Sequence, residues 1–120
     1  MNSKKALNAY IEIDNNLTGA DFEKKWFESV IMVLNRIQSG SFYNQVETHV
    51  KLIEICDGLQ WIQENLNEKL NSQHRTLLKQ IYSLSIQIIN GAIATNNMTY
   101  LSIVTASLKT VLEPYCKTHA

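Results

Sequence analysis

The sequence is poor in the residues that build tight turns. Only 1 of its 120 residues is proline and 4 are glycine. A small β-sandwich needs many such turns, and no segment alternates apolar and polar residues for long. Hydrophobic residues still make up 45% of the chain, which is enough for a folded core. The composition therefore argues against an all-β protein and favours helices.

An excess of charge of either sign is also missing. The 11 lysines and arginines balance 11 aspartates and glutamates, so the formal net charge is zero. A protein that binds nucleic acid or an anionic membrane needs clustered positive charge, and we expect neither partner. No run approaches the roughly 18 apolar residues of a membrane span. Polar residues interrupt the N-terminal segment where a signal peptide would be apolar, so we expect a cytoplasmic protein.

Patterns of catalytic or metal-binding residues are not found either. The sequence has no Gly-rich phosphate loop, no HExxH and no GxSxG motif. The two cysteines, Cys56 and Cys116, form no CxxC pair and no disulfide framework. The three histidines lack the spacing of metal ligands on one helix face. We therefore expect no enzyme activity, no metal site and no cofactor.

Apolar residues recur at helical spacing in four segments. The predicted helices cover 20–38, about 43–69, about 73–94, and a last segment with apolar positions from Leu101 to Tyr115. Gly40 can adopt the left-handed conformation that stops the first helix, and Pro114 should end or kink the fourth helix in its last turn. Gly58 lies inside the second helix, where it allows either the close approach of a neighbouring helix or a bend.

Four helices with short connections predict an all-α fold, an antiparallel four-helix bundle. We expect one domain over residues 1–120, in which 1–17 form a short leader segment and 18–117 form the bundle. In the second helix the expected apolar row runs through Val46, Val50 and Ile53 in the first half. It continues in the second half through Leu52, Ile55, Cys56, Leu59, Ile62, Leu66 and Leu70.

The first and third helices each carry two apolar rows, which is more than a bundle of short helices easily covers. Beside the main row of the first helix lie Phe27, Ile31 and Leu34. The third helix has one row at Leu77, Ile81, Leu84 and Ile88, and a second at Leu78, Tyr82, Ile86, Ile89 and Ile93. Another segment of the chain, such as the leader, or a partner must cover the surplus. A wide core with a dimer interface explains the pattern equally well.

Residues 6–10, 25–31, 81–84 and 94–97 are short motifs spread along nearly the whole chain, and together they resemble the FliS family of flagellar export chaperones. Residues 6–10, Ala-Leu-Asn-Ala-Tyr, resemble the "NAY" leader near the start of that family. Residues 25–31 lie where the family has a Leu-Tyr-Asp-Gly-Ala-Ile-like segment, and 81–84 lie where it has a Leu-Tyr-Asp-like stretch. Residues 94–97, Ala-Thr-Asn-Asn, match the turn into the last helix. The chain departs from the family pattern at residues 19–20, Ser29, Ser83 and Pro114.

The resemblance implies a cytoplasmic helical bundle that binds the disordered C-terminal part of flagellin. Such a chaperone hinders premature polymerisation and assists delivery to the export apparatus. In the family the N-terminal segment can occupy a hydrophobic groove that flagellin uses, so Asn8, Ala9 and Tyr10 would form a leader plug. The expected partner-binding residues are Tyr10, Trp26, Phe27, Ile31, Ile86, Ile89 and Ile93. The alternative is a non-catalytic helical adaptor whose extra rows form a homodimer contact, so a monomer and a homodimer both remain open.

Overall fold

The computed structural model describes residues 19–40, 42–66 and 72–118, with side chains described within 23–40, 42–66 and 72–113. These residues form four α-helices and no strand. The helices are α1 (Gly19–Ser39), α2 (Gln45–Glu64), α3 (Ser72–Thr95) and α4 (Leu101–Thr118). The expected leader lies outside the described residues.

The helices form an antiparallel four-helix bundle, as the sequence predicts. The most extensive contacts join α2 with α3 and α1 with α4, and α3 also packs against α4. The contact between α1 and α2 is the least extensive of these neighbouring pairs. Short connections between successive helices produce this up-and-down order.

Two of the helix ends are fixed by local signals. The Asn44 side chain accepts a hydrogen bond from the Glu47 backbone N–H at 2.8 Å, and the Glu47 carboxylate accepts one from the Asn44 N–H at 3.4 Å. This reciprocal capping box fixes the start of α2. At the end of α1, Gly40 has a φ of 77°, so the predicted left-handed stop is confirmed.

Asparagines end α2 and α3. Asn96 is left-handed, with a φ of 53°, and the N–H of Asn97 reaches the Ala92 carbonyl at 3.2 Å, which completes a Schellman motif after α3. The second helix ends at Glu64, so its predicted extension to about residue 69 is wrong. The reason lies at Asn65, whose backbone N–H and side-chain amide both donate to the Trp61 carbonyl, at 3.1 and 2.8 Å.

Pro114 does not end α4, because the helix continues to Thr118. A proline removes one backbone hydrogen bond, the one its own N–H would donate. Near the helix terminus a proline therefore removes few of the helix's backbone hydrogen bonds, and the remaining turn still forms. Of the two outcomes that the sequence predicted at this proline, an end of the helix is therefore wrong.

All four helices contribute to the core. The rings of Phe27 on α1 and Tyr82 on α3 stack with their centroids 6.0 Å apart, and both side chains are buried. Leucines, isoleucines and valines surround this pair. The most buried are Leu34, Leu52, Leu59, Ile62, Ile89, Leu101, Val104 and Leu108.

The glycine inside α2 makes room for an indole ring. A Cβ atom built on Gly58 would lie 2.9 Å from Cη2 of Trp26 and closer still to Cζ2. A larger residue would therefore overlap with the ring. Of the two roles that the sequence left open, the structure favours close packing against a neighbouring helix, made through the Trp26 side chain of α1.

No helix among the described residues has the length and apolar character needed to cross a bilayer.

Candidate functional site

The first half of α2 carries an apolar row that faces outward. Its members Val46, Val50 and Ile53, named here the α2 row, are 72%, 48% and 38% exposed. At 100° per residue, the row lies roughly 140° around the helix from the buried Leu52 and Leu59. The expectation that these three residues form the inward row is therefore wrong. Thr48 and Leu52 fill the inward positions instead.

The third helix carries a second exposed row. Leu77, Ile81, Leu84 and Ile88 are named here the α3 row; Leu77 is 55% and Leu84 51% exposed. Ile81 and Ile88 are half-buried and pack against the edge of the core. Of the two rows that the sequence offered on this helix, this one is the outer row.

The residues expected to bind a partner on the second rows are mostly core. Phe27 and Ile89 are fully buried, and Ile31 is 9% exposed. Ile86 and Ile93 are half-buried against the core. The expectation that these rows line an open groove is therefore corrected, because the stacked Phe27–Tyr82 pair draws them into the centre of the bundle.

The remaining expected partner residues differ in their placement. Trp26 is half-buried, and its ring meets Phe27 edge to face at 5.4 Å. The leader plug, Asn8, Ala9 and Tyr10, lies outside the described residues. Trp26 is therefore the expected site residue that the structure places beside an opening in the bundle.

That opening is a cleft of about 150 Å³ between α1 and α2. Its lining combines an indole, aliphatic side chains and two opposite charges on α2. The lining residues are Trp26, Ser29, Val30, Val33, Lys51, Glu54 and Ile55. The limited contact between these two helices leaves the cleft open, and the size matches one or two side chains of a partner rather than a cofactor.

The flanks of the α2 row are charged. Glu47 and Glu54 follow the side of the row that faces the cleft, and Asp57 continues the line of the row itself. Lys51 lies farther towards the cleft, with its Nζ 5.7 Å from the centroid of the Tyr43 ring. An apolar strip bordered by carboxylates suits an amphipathic helix with basic residues along one edge.

Polar contacts fix the register between α2 and α3. Gln63 donates to the Lys79 carbonyl at 3.2 Å and also to the Ser83 hydroxyl. At the other end of the pair, the ring of His49 lies 3.3 Å from the Asn96 side-chain oxygen. Such contacts resist sliding of one helix along the other, so the α2 row and the α3 row keep a fixed relation.

The thiol of Cys56 lies between the same two helices. Its Sγ is 3.7 Å from Oδ1 of Asn90, and the side chain is buried. Burial, with a smaller contribution from the charge of Asp57, raises the pKa of Cys56 from 9.0 to about 12. The thiolate is the nucleophilic form, so this position favours packing over reactivity.

Other features of the described residues offer little chemistry. No group of three or more His, Cys, Asp or Glu side chains among them could hold a metal ion. A shallow depression at the start of α3 is lined by Ser72, Gln73, Thr76, Leu77 and Gln80. Its lining holds no charged group. What remains is a pair of exposed apolar rows and a narrow cleft, which can bind other polypeptides.

No family model, curated protein or solved structure has significant similarity to this chain.

The α2 row was missed because α2 has apolar residues on all sides. Periodicity then fits either face equally well. One signal distinguishes the two faces: the Leu52, Leu59 and Ile62 face stays apolar into the last turn of the helix, whereas the α2 row stops at Ile53 and Asp57 takes its next position. The longer continuous face becomes the core.

Proposed function

We propose that this protein is a cytoplasmic, non-catalytic export chaperone that binds the C-terminal segment of flagellin. The α2 row carries the proposal, because Val46, Val50 and Ile53 remain exposed beside an open cleft. The resemblance of residues 6–10, 25–31 and 81–84 to flagellar export chaperones supports the choice of client. The four-helix bundle is the fold that this resemblance implies.

The client segment would become helical as it binds. An amphipathic helix can align its apolar side with the spacing of four and three residues in the α2 row. Completing the burial of each partly exposed valine or isoleucine contributes on the order of 1 kcal/mol. Ordering a disordered client costs several kcal/mol, so the row alone cannot hold it. A bound client must also use further surface.

The cleft beside Trp26 supplies such a surface. It lies on the α1 side of α2, next to the carboxylates of Glu54 and Glu47. A client that wraps around α2 would reach both the row and the cleft. Contacts spread over several shallow sites give moderate affinity, which suits a chaperone that must release its client at the export apparatus.

The test is calorimetric titration of the full chain with the C-terminal segment of flagellin from the same organism. We expect saturable binding at micromolar or tighter dissociation constants, with a large negative heat-capacity change from coupled folding. Val50→Glu should weaken binding by ~10-fold or more, because it places a carboxylate in the middle of the row. Absence of heat and of co-elution with a folded bundle would refute the proposal.

A matched control is available on α1. Met32 is 46% exposed, close to the 48% of Val50, and lies outside both rows and the cleft. Met32→Glu should leave flagellin binding within ~2-fold of the natural chain. Equal losses from both variants would mean that the α2 row has no special role.

The leader provides a second test of the same proposal. If residues 1–17 act as a plug, a chain that begins at residue 17 should bind an apolar dye more strongly and flagellin more tightly. Tyr10→Ala should reproduce part of that gain. Unchanged dye binding, solubility and affinity after truncation would remove the plug from the proposal and leave the client site in place.

A homodimeric adaptor unrelated to flagellin is the second candidate, and the α3 row favours it. Both leucines of that row are more than half exposed. Light scattering on a size-exclusion column distinguishes the candidates: a tight dimer that ignores flagellin supports the adaptor.

A further inference from the structure

The α3 row has the spacing of a helix-packing seam. Leu77, Ile81, Leu84 and Ile88 follow one another at intervals of four, three and four residues. This places leucines at the d positions and isoleucines at the a positions of a heptad repeat, the spacing at which two helices can pack along one seam. The two leucines are the outermost members, so half of each remains to be buried.

From Gln80 onward the surroundings of this row contain no charge. Gln80 and Gln87 are exposed and lie beside it along the helix. From Gln80 to Leu108 the sequence contains no Asp, Glu, Lys, Arg or His at all. Depletion of charged residues is the mark of the buried centre of protein interfaces. The α2 row has carboxylates along one flank, so the two rows differ in the charge of their surroundings.

The row faces away from α2. The groups of α3 that contact α2 belong to Lys79, Ser83 and Asn90. At 100° per residue, the α3 row lies roughly 160° around the helix from them. A molecule bound on this row would therefore leave the α2 row accessible.

We propose that the α3 row is a homodimer contact, in which two copies of α3 pack antiparallel about a two-fold axis between Ile81 and Leu84. A two-fold contact places the same patch on both sides. Such a contact requires that no like charges meet, and the row satisfies this requirement. The net charge of zero for the whole chain adds no long-range repulsion between copies.

The distribution of cations along α3 gives a weak, long-range preference for the antiparallel orientation, since Arg75 and Lys79 lie on the far side of the helix from the row. Arg75 and Lys79 lie in the first two turns, and the last two turns, from Asn90 to Thr95, are uncharged. A parallel pair would bring the cations of both copies to the same end. An antiparallel pair places them opposite the uncharged end. In that arrangement Leu77 meets Ile88 of the other copy, Ile81 meets Leu84, and the Gln80 amide comes alongside that of Gln87.

The contact is small, so we expect reversible association. Two half-exposed leucines and two half-buried isoleucines per copy must offset the loss of translational and rotational freedom. The resulting dissociation constant should lie in the micromolar range or weaker. This dimer uses a different surface from the proposed client site, and it does not depend on the flagellin proposal.

Sedimentation velocity of the full chain from ~5 to ~500 µM tests the proposal. We expect a concentration-dependent dimer that persists at high salt, because no charge contributes to it. Leu84→Glu should weaken association by ~100-fold or more, and Leu84→Gln by ~10-fold. Val50→Glu, at a residue of nearly equal exposure on the α2 row, is the matched control and should leave the dimer intact. Circular dichroism confirms that each variant is folded.

Cysteine pairing tests the orientation. In a background with Cys56→Ala and Cys116→Ser, a mixture of Gln80→Cys and Gln87→Cys chains should form the mixed disulfide on oxidation. Gln87→Cys alone should not pair, because antiparallel packing places the two copies of that position roughly 13 Å apart along the axis. Efficient pairing of Gln87→Cys with itself would overturn the antiparallel arrangement.

Three further outcomes would overturn the dimer itself. One is a monomer at every concentration, and another is a dimer that Leu84→Glu does not weaken. The third is a monomer whose flagellin binding is lost on Leu84→Glu, which would make the α3 row a client surface. If the dimer is confirmed and flagellin fails to bind, this inference stands and the flagellin proposal falls.

Discussion

The two exposed apolar rows of the bundle are alike in spacing and exposure and differ in what surrounds them. The α2 row is followed by the carboxylates of Glu47, Glu54 and Asp57, whereas the α3 row lies among glutamines in a segment without charge. The charged flank can select a partner with basic residues along one edge. The neutral flank has nothing to repel a second copy of itself. Similar apolar rows are thereby suited to different partners.

The largest expected effect tests whether α2 has an inner and an outer face. Leu59→Ala should lower the free energy of unfolding by about 3 kcal/mol, because Leu59 is fully buried and its loss leaves a cavity. Val50→Ala should change it by less than about 0.5 kcal/mol, since Val50 is half exposed. Urea unfolding followed by circular dichroism measures both. Similar costs at the two positions would contradict the outward placement of the α2 row.

The next effect concerns the cleft on the α1 side of α2. Gly58→Ala should lower the free energy of unfolding by about 1–2 kcal/mol, because the new Cβ displaces the Trp26 indole. In a Trp26→Ala background the same change should instead stabilise the protein by about 0.5–1 kcal/mol, since alanine favours helix over glycine. Denaturant unfolding of the natural chain, the two single variants and the double variant shows whether Gly58→Ala lowers or raises the free energy of unfolding in each background. Destabilisation in both backgrounds would mean that the indole is not what requires the glycine.

Cys56 lies at the contact between α2 and α3 and makes the free energy of unfolding depend on pH, with a smaller effect than the changes above. Because its pKa is raised from 9.0 to about 12, the folded state keeps a proton that the unfolded state loses. The resulting stability is constant below pH 9 and is lost as pH rises from 9 to 12, by about 1 kcal/mol at pH 10. The measurement compares unfolding at pH 8 and pH 10 for Cys116→Ser with and without Cys56→Ala. An equal decrease in both proteins would contradict the assignment to Cys56.

The smallest expected effect separates the rows by charge. Neutralising the flank with Glu54→Gln and Asp57→Asn should weaken flagellin binding by ~2–5-fold at ~50 mM salt, and the difference should vanish at ~500 mM. The same double variant should leave the dimer constant of the α3 row unchanged. Calorimetry and sedimentation report the two constants separately. A change in the dissociation constant of the dimer, with flagellin binding unchanged, would contradict the assignment of flagellin binding to the α2 row and of dimerisation to the α3 row.

Helix type and one boundary could be predicted from the sequence because their signals are local. The all-α bundle follows from apolar spacing, and the stop at Gly40 follows from the freedom of glycine at positive φ. The end of α2 could not be read in the same way, since Asn65 acts through its side-chain bond to the Trp61 carbonyl. Spacing alone does not reveal that bond.

Which row becomes the core was not predictable, because that choice depends on contacts between distant segments. The spacing on α3 fits both the row through Ile89 and the row through Leu84. The stacking of Phe27 on Tyr82 selects the first and leaves the second outside. Trp26 was singled out for its size and its place in the resemblance, and it lines the cleft. The row on α2 was predicted from the sequence, but as part of the inward face.

The uneven contacts among the helices have a mechanical consequence. Polar contacts of Gln63 with Ser83 and of His49 with Asn96 hold α2 against α3 at both ends. Helix α1 packs chiefly against α4. The bundle therefore consists of two helix pairs, α1 with α4 and α2 with α3. Of the contacts between neighbouring helices of the two pairs, the one between α1 and α2 is the least extensive, and there the Trp26 ring packs on Gly58. We expect local opening of the bundle to begin at the contact between α1 and α2. Amide hydrogens of α1 and α4 should then exchange as one unit, and those of α2 and α3 as another.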